Sequence, residues 1–197
     1  MSTVRYVIAI VLLVSMPPAL LLWFAIHPWV RFWRRFGAGW TYALLGGPVI
    51  ALMAGLYLAR ESLLGADLGT HYVLIALGIL FASCAVVIGI KRKKYLTFRI
   101  LCGVPELSRT GERGKLLQEG IYAKIRHPRY LEVALAVLSY SLIANYAGLY
   151  VLTVLSVLAL YAIVLLEERE LRERFGSAYE EYARSVPRFL PRPRTPK

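Results

Sequence analysis

The chain has 197 residues, 58% of them hydrophobic and 18% charged, with 24 Lys+Arg against 12 Asp+Glu. Soluble domains of this size are about half apolar and about a quarter charged. Residues 6–30, 36–59, 68–90 and 133–166 carry no Asp, Glu, Lys or Arg at all, and roughly 20 apolar residues cross a hydrocarbon core of ~30 Å. A soluble globular fold, a disordered chain and a secreted disulfide scaffold are therefore excluded, and the chain reads as an all-α integral membrane protein.

The net charge of +12 is distributed by topology. Of the cations, 22 of 24 lie at 31–35, 91–129 and 169–197, between or after the apolar runs, with only Arg5 and Arg60 elsewhere. The positive-inside rule places those segments in the cytosol, the N-terminus outside and the C-terminus inside. A one-sided basic surface beside anionic headgroups explains the charge without nucleic acid. Cys84 and Cys102 have no metal-ligand spacing, and Cys84, in an apolar run, reads as a small buried residue. His27, His71 and His127 fall in separate regions, so no metal site is expected. The first apolar run is longer than a signal-peptide core and precedes no small-residue cleavage site, so a secretory leader is not expected.

The first span is expected over Tyr6–Ile26, kinked at Pro17-Pro18. Trp23, Trp29 and Trp33 mark an interface beside Arg31, Arg34 and Arg35. The second span, Thr41–Leu58, contains Gly46-Gly47-Pro48; a short outer loop with Arg60, Glu61 and Asp67 follows. The third, Tyr72–Ile90, ends at Lys91-Arg92-Lys93-Lys94. Residues 1–90 thus form an N-terminal unit of three spans, and 91–197 a C-terminal region that opens with a Gly- and charge-rich cytosolic segment.

The 34 uncharged residues at 133–166 exceed one span. A single crossing would put the basic C-terminal segment outside, so a hairpin turning at Asn145-Tyr146-Ala147-Gly148 is expected. Its arms run from near Pro128 to near Leu171, which brings the total to about five membrane helices. Beyond it, Leu171, Phe175, Tyr179 and Tyr182 recur at helical spacing. Ser177-Ala178-Tyr179-Glu180 has the form of a capping box. The Pro- and Arg-rich tail from Pro187 is expected to lie along the membrane surface.

Two constellations could carry chemistry. Gly120 to Tyr130 holds a permissive glycine, Tyr122, Arg126, His127, Pro128 and Tyr130 at the inner mouth of the hairpin's first arm. By composition alone it also fits an interfacial girdle of Arg, Tyr and Lys. Glu167-Glu168 closes the second arm, where acidic residues must be solvated, paired or used. A solvated helix with pairs such as Glu168–Arg172 and Glu170–Arg174 accounts for it equally well. The hairpin nevertheless brings both constellations to one side.

Gly120-Ile-Tyr122, Arg126-His127-Pro128-x-Tyr130, Glu167-Glu168, Phe175-Gly176-x-x-Tyr179-x-x-Tyr182 and Val186-Pro187-Arg-Phe-Leu-Pro191, in that order, resemble the isoprenylcysteine carboxyl methyltransferase family. That family is itself similar to phospholipid and thiol methyltransferases of membranes. The resemblance covers about residues 114–191 and implies S-adenosylmethionine as methyl donor, bound in a cytosolic pocket formed by the hairpin and its flanks. It implies backbone contacts from Gly114, Lys115, Leu116 and Leu117. Gly120, Tyr122, His127, Pro128 and Tyr130 join the cofactor-binding set, with Glu167 as the family's carboxylate and Glu168 beside it. Arg126 would orient a carboxylate or phosphate as the candidate catalytic residue, and His127 would be a pocket wall.

The implied activity is methyl transfer to a lipid-embedded or apolar amine, thiol or carboxylate, with membrane lipids as surroundings; the short, basic, motif-poor N-terminal half points to a bacterial inner membrane as the host. The prenylcysteine enzymes carry an Arg four residues before the first Glu of the pair, where this chain has Ile163, which counts against a prenylcysteine carboxylate. Glu132 either attracts a cationic amine or pairs with Arg129 or Lys124. Two competing readings are an NADPH-dependent reductase of the sterol reductase type, which shares a similar C-terminal motif, and a non-catalytic membrane scaffold.

Overall fold

The computed structural model describes residues 2–33, 35–95 and 116–191. Among these, the regular structure is helical, with one isolated antiparallel bridge between Asp67 and Tyr146. The helices are α1 (Ser2–Ile26), α2 (Val30–Trp33), α3 (Gly37–Leu58), α4 (Arg60–Leu64), α5 (Tyr72–Lys93), α6 (Pro128–Ala144), α7 (Ala147–Phe175) and α8 (Ser177–Ser185). Gly120–Ala123 forms a single 3-10 turn before α6.

Among the described residues four helices, α1, α3, α5 and α7, are long and apolar enough to cross a bilayer. Only 6% of the most apolar window of α3 and 11% of that of α5 is buried within the protein. Side chains such as Trp40, Ile50, Leu58, Val73, Val86 and Ile90 are consequently exposed on the outer surface. Water would not tolerate such surfaces, whereas lipid does; the protein is integral to a membrane. Cys84 lies on this outward surface, which corrects the expectation that it is buried. Hydrocarbon solvates a thiol without protein cover.

α6 has 17 residues, about 26 Å at a rise of 1.5 Å per residue, a little short of a ~30 Å core. It pairs antiparallel with α7, so the expected hairpin is present, but its turn is tighter than the four residues anticipated. Asn145, in the left-handed conformation at φ 55°, and Tyr146 make the turn, and Ala147 and Gly148 already belong to α7. The short turn is held by side chains: Asn145 Nδ2 donates to the Gly69 carbonyl at 2.9 Å, and Tyr150 Oη donates to Asn145 Oδ1 at 2.7 Å.

The hairpin is wrapped by α1 and α5. The buried residues of α1, including Arg5, Ala9, Leu12, Leu13 and Met16, lie on one helical stripe that joins the core built by Val137, Ala144, Leu149, Leu160, Ile163 and Val164. α1 runs unbroken through Pro17 and Pro18. α5 closes on α6 where Gly78 lies so near that an added Cβ would stand 2.6 Å from Ile143 Cγ1 and 3.0 Å from the Ser139 carbonyl.

The bundle has two polar ends. At one, Arg5, 4% exposed, donates to the Ala144 carbonyl at 2.9 Å and Thr70 Oγ1 at 3.1 Å and pairs with Asp67. This ties the start of α1 to the hairpin turn and to the loop before α5. At the other end the C-terminal turns of α1, α5 and α7 meet the start of α6, and both sequence constellations sit there.

Candidate active site

α6 begins where its sequence dictates. Pro128 occupies the first turn, where a missing N–H is harmless, and His127 is the N-cap residue. Immediately upstream, the backbone of Arg126 and His127 pairs with the C-terminal segment: Arg126 N–H donates to the Pro187 carbonyl at 2.9 Å and His127 N–H to the Arg188 carbonyl at 3.0 Å. Residues 186–189 therefore fold back over the site instead of lying along the membrane surface as expected. Two N–H groups outside any helix need acceptors once buried, and this segment supplies them.

At the centre lies Glu168, with a side chain that is fully buried. Its Oε1 accepts from Arg126 Nη2 at 2.7 Å, Arg188 Nε at 3.0 Å and His127 Nε2 at 3.2 Å. Its Oε2 accepts from Arg188 Nη2 at 2.8 Å and Arg172 Nη2 at 3.3 Å. Arg126 also donates through Nη1 to the carbonyls of Ala183 and of Val186, the latter at 2.9 Å. One carboxylate thus fastens α7 to the residues that open α6 and to the returning tail, and through Arg126 to the end of α8. The i,i+4 pair Glu168–Arg172 anticipated from spacing is present, as one contact of several.

Glu167 is placed differently. Its side chain is 32% exposed, and its Oε2 lies 3.6 Å from His127 Nδ1. His127 is therefore held between the two glutamates, one at each ring nitrogen. Burial works against its charge, but the two carboxylates outweigh burial and raise its pKa above 6.5. The Arg188 pKa is likewise raised, by its hydrogen bonds to Glu168.

Tyrosines enclose the site. Tyr122 is 7% exposed, and its backbone carbonyl accepts the Tyr182 hydroxyl at 2.7 Å. Burial pushes the Tyr122 phenol up and that of Tyr179 up to about 12, so both stay protonated. Tyr130 stacks edge-on against Trp23 of α1, with ring centres 5.3 Å apart, and lies 5.7 Å from the His127 ring. Leu116 packs against the Tyr179–Tyr182–Val186 cluster, and Leu117 follows it half-buried. Gly120 has a φ of 61°, and an added Cβ there would stand 2.3 Å from Tyr95 Oη. Gly114 and Lys115 lie outside the described residues.

Gly120, Tyr122, Arg126, His127, Pro128, Tyr130, Glu167 and Glu168 are thus gathered at one end of the bundle. Arg188, Arg92 and Trp23 were not singled out for the site from sequence, yet they are part of it. Arg188 lay in the motif Val186–Pro191, and its role was readable only once a buried carboxylate needed a second arginine. Arg92, read as a membrane anchor, holds Glu132 through Nε at 2.7 Å and Nη2 at 3.3 Å. Glu132 therefore pairs with neither Arg129 nor Lys124. Ser177 stands in the first turn of α8 with Gly176 as the N-cap, so the capping box is not made; the positive φ of Gly176 turns the chain in its place.

No curated protein matches the chain, and no solved structure does. The family model for phospholipid methyltransferases matches residues 68–178, a stretch from the start of α5 into α8 that takes in the whole hairpin, the Arg126–Tyr130 segment and the glutamate pair. A match over more than half of the chain, with the motif residues converging in space, is decisive: the chain belongs to the phospholipid methyltransferase family of membrane methyltransferases.

Proposed function

We propose that this protein transfers a methyl group from S-adenosylmethionine to a lipid or other apolar acceptor at the cytosolic face of a membrane, a bacterial inner membrane by the simplest reading. In this reading the chain crosses five times, through the four long apolar helices and α6 as the fifth, with the N-terminus outside and the cluster of Arg126, His127 and Glu167 inside. The basic residues beside this end, Lys91–Lys94 and the arginines of α7 and α8, are those the positive-inside rule assigns to the cytosol.

One observation carries the reading: of two adjacent glutamates, Glu168 is saturated by arginines while Glu167 is oriented by His127 and keeps about a third of its side chain open. A carboxylate held in this way fits the ribose hydroxyls and ammonium of the donor. In this reading Tyr122, Gly120, Leu116 and Leu117 border the donor, as the family resemblance implies. S-adenosylmethionine supplies a sulfonium-bound methyl group and needs no metal to deliver it. The protein's task is to align the acceptor and exclude water, which can contribute about 7–11 kcal/mol.

In this reading Glu167 holds the donor, and Tyr122, His127, Pro128 and Tyr130 shape its pocket. Arg126 and Glu168 are positioning residues: Arg126 is directed at Glu168 and two carbonyls, which fixes His127 and the tail rather than touching an acceptor. The test is calorimetric titration of the detergent-purified protein with S-adenosylhomocysteine, with NADPH as control. Micromolar binding of the former alone, weakened by Glu167→Gln, is the expected result. NADPH binding would move the protein to the reductases, and binding of neither would leave a scaffold.

A further inference from the structure

Arg129 occupies the variable position of the Arg126-His127-Pro128-x-Tyr130 motif and is the second residue of α6. It is half-buried, and its Cζ lies 4.0 Å from the centre of the Trp23 ring. Among the described residues its guanidinium makes no hydrogen bond and no ion pair. The carboxylate that helical spacing offers it, Glu132 three residues on, is held by Arg92. Glu168 is occupied by other arginines, and Glu167 is engaged with His127.

Burial and the helix start both work against a charge at this position. A cation in the first turn of a helix faces the positive end of the helix dipole, and Arg92 repels it, although Glu167 attracts it. Around the site Arg92, Arg126, Arg129, Arg172 and Arg188 stand against Glu132, Glu167 and Glu168, an excess of two positive charges before His127 is counted. The Trp23 ring covers the guanidinium on one side, and a guanidinium carries five N–H donors in a fixed planar fork. Such a fork matches a phosphate or carboxylate, which accepts two parallel hydrogen bonds.

Trp23 also gives the depth. It belongs to apolar α1, two residues from the outward-facing Leu21, and Trp and Arg together mark the level where lipid headgroups meet hydrocarbon. We propose that Arg129, stacked on Trp23, holds the phosphate of the lipid methyl acceptor and is a specificity-determining residue of the site, an assignment that rests on the methyltransferase reading above.

The experiment titrates the detergent-purified full chain with dihexanoylphosphatidylethanolamine, dihexanoylglycerol, inorganic phosphate and S-adenosylhomocysteine. The wild type is expected to bind the short-chain phospholipid in preference to the phosphate-free glyceride and to free phosphate. Arg129→Gln should weaken phospholipid binding by about tenfold or more, as the loss of a charged hydrogen-bonding partner does, with S-adenosylhomocysteine affinity unchanged. Arg129→Lys keeps the charge but not the fork and should fall between; it carries the test alone if the glutamine variant does not fold. Unchanged phospholipid binding in these variants overturns the proposal. So does a selective loss of S-adenosylhomocysteine, which would give Arg129 to the donor's carboxylate, and so does free phosphate binding as well as the lipid. A wild type that binds no S-adenosylhomocysteine instead sinks the methyltransferase reading itself.

Discussion

Replacing Glu168 by Gln keeps the shape of the side chain and removes the charge that four cationic side chains share. The cost is not four equal parts. Arg172 is 47% exposed and Arg188 35%, so both can turn to water, whereas Arg126 is 8% exposed and His127 3%. The glutamine Oε1 can still accept from Arg126 and His127, but as a neutral acceptor beside two buried cations; at about 1.5–3 kcal/mol for each charge-assisted hydrogen bond so weakened, the loss is at most about 3–6 kcal/mol. That agrees with the ~3–5 kcal/mol of breaking a buried ion pair from one side. The assay is reversible unfolding of the detergent-solubilised protein, with limited proteolysis at residues 186–191 read in parallel, because the tail should loosen when Arg188 loses its carboxylate. Glu167→Gln, at a part-exposed position, should cost less than about 1 kcal/mol. A Glu168→Gln protein within about 1 kcal/mol of the wild type, with its tail equally protected, would refute the claim that this carboxylate fastens the site.

Three further outcomes are expected. Because the folded pKa of His127 is raised above 6.5 by Glu167 and Glu168 after burial is overcome, its stabilising contribution is fully present below about pH 6.5. It is lost as pH rises through the folded value; unfolding free energies of the wild type should decline across that window more steeply than those of His127→Gln. Gly120→Ala should lose about 1–2 kcal/mol from its left-handed backbone alone, and more because Tyr95 must move. In a Tyr95→Ala background only the backbone part should remain, and equal losses in both backgrounds would remove Tyr95 from the account. Arg5→Leu, at the far end, should cost about 1–3 kcal/mol through the unsatisfied Ala144 carbonyl and the broken Asp67 pair. It should leave S-adenosylhomocysteine affinity untouched, and a drop in that affinity would show the two polar ends to be coupled.

Apolar length, the charge-free runs and the one-sided arginines were enough to read a membrane protein, its long helices and the α6–α7 hairpin. Those features depend on transfer from water to lipid, a property summed along the chain and visible in composition. The motif order carried the family for the same reason: it is a linear record. Pairing was not linear. Glu132 had Arg129 and Lys124 within reach of helical spacing, yet packing of α5 against α6 brought Arg92, 40 residues away, to 2.7 Å. Glu167 and Glu168 are neighbours in sequence, but successive helical residues point about 100° apart, so one faces inward at Arg126 and is fully buried while the other stays part open. Arg5 looked like a stray outer charge until α1 was laid against the hairpin turn. Which charges neutralise one another depends on which helices touch, and in a low-dielectric interior that choice decides which carboxylate fastens the fold and which can meet a ligand.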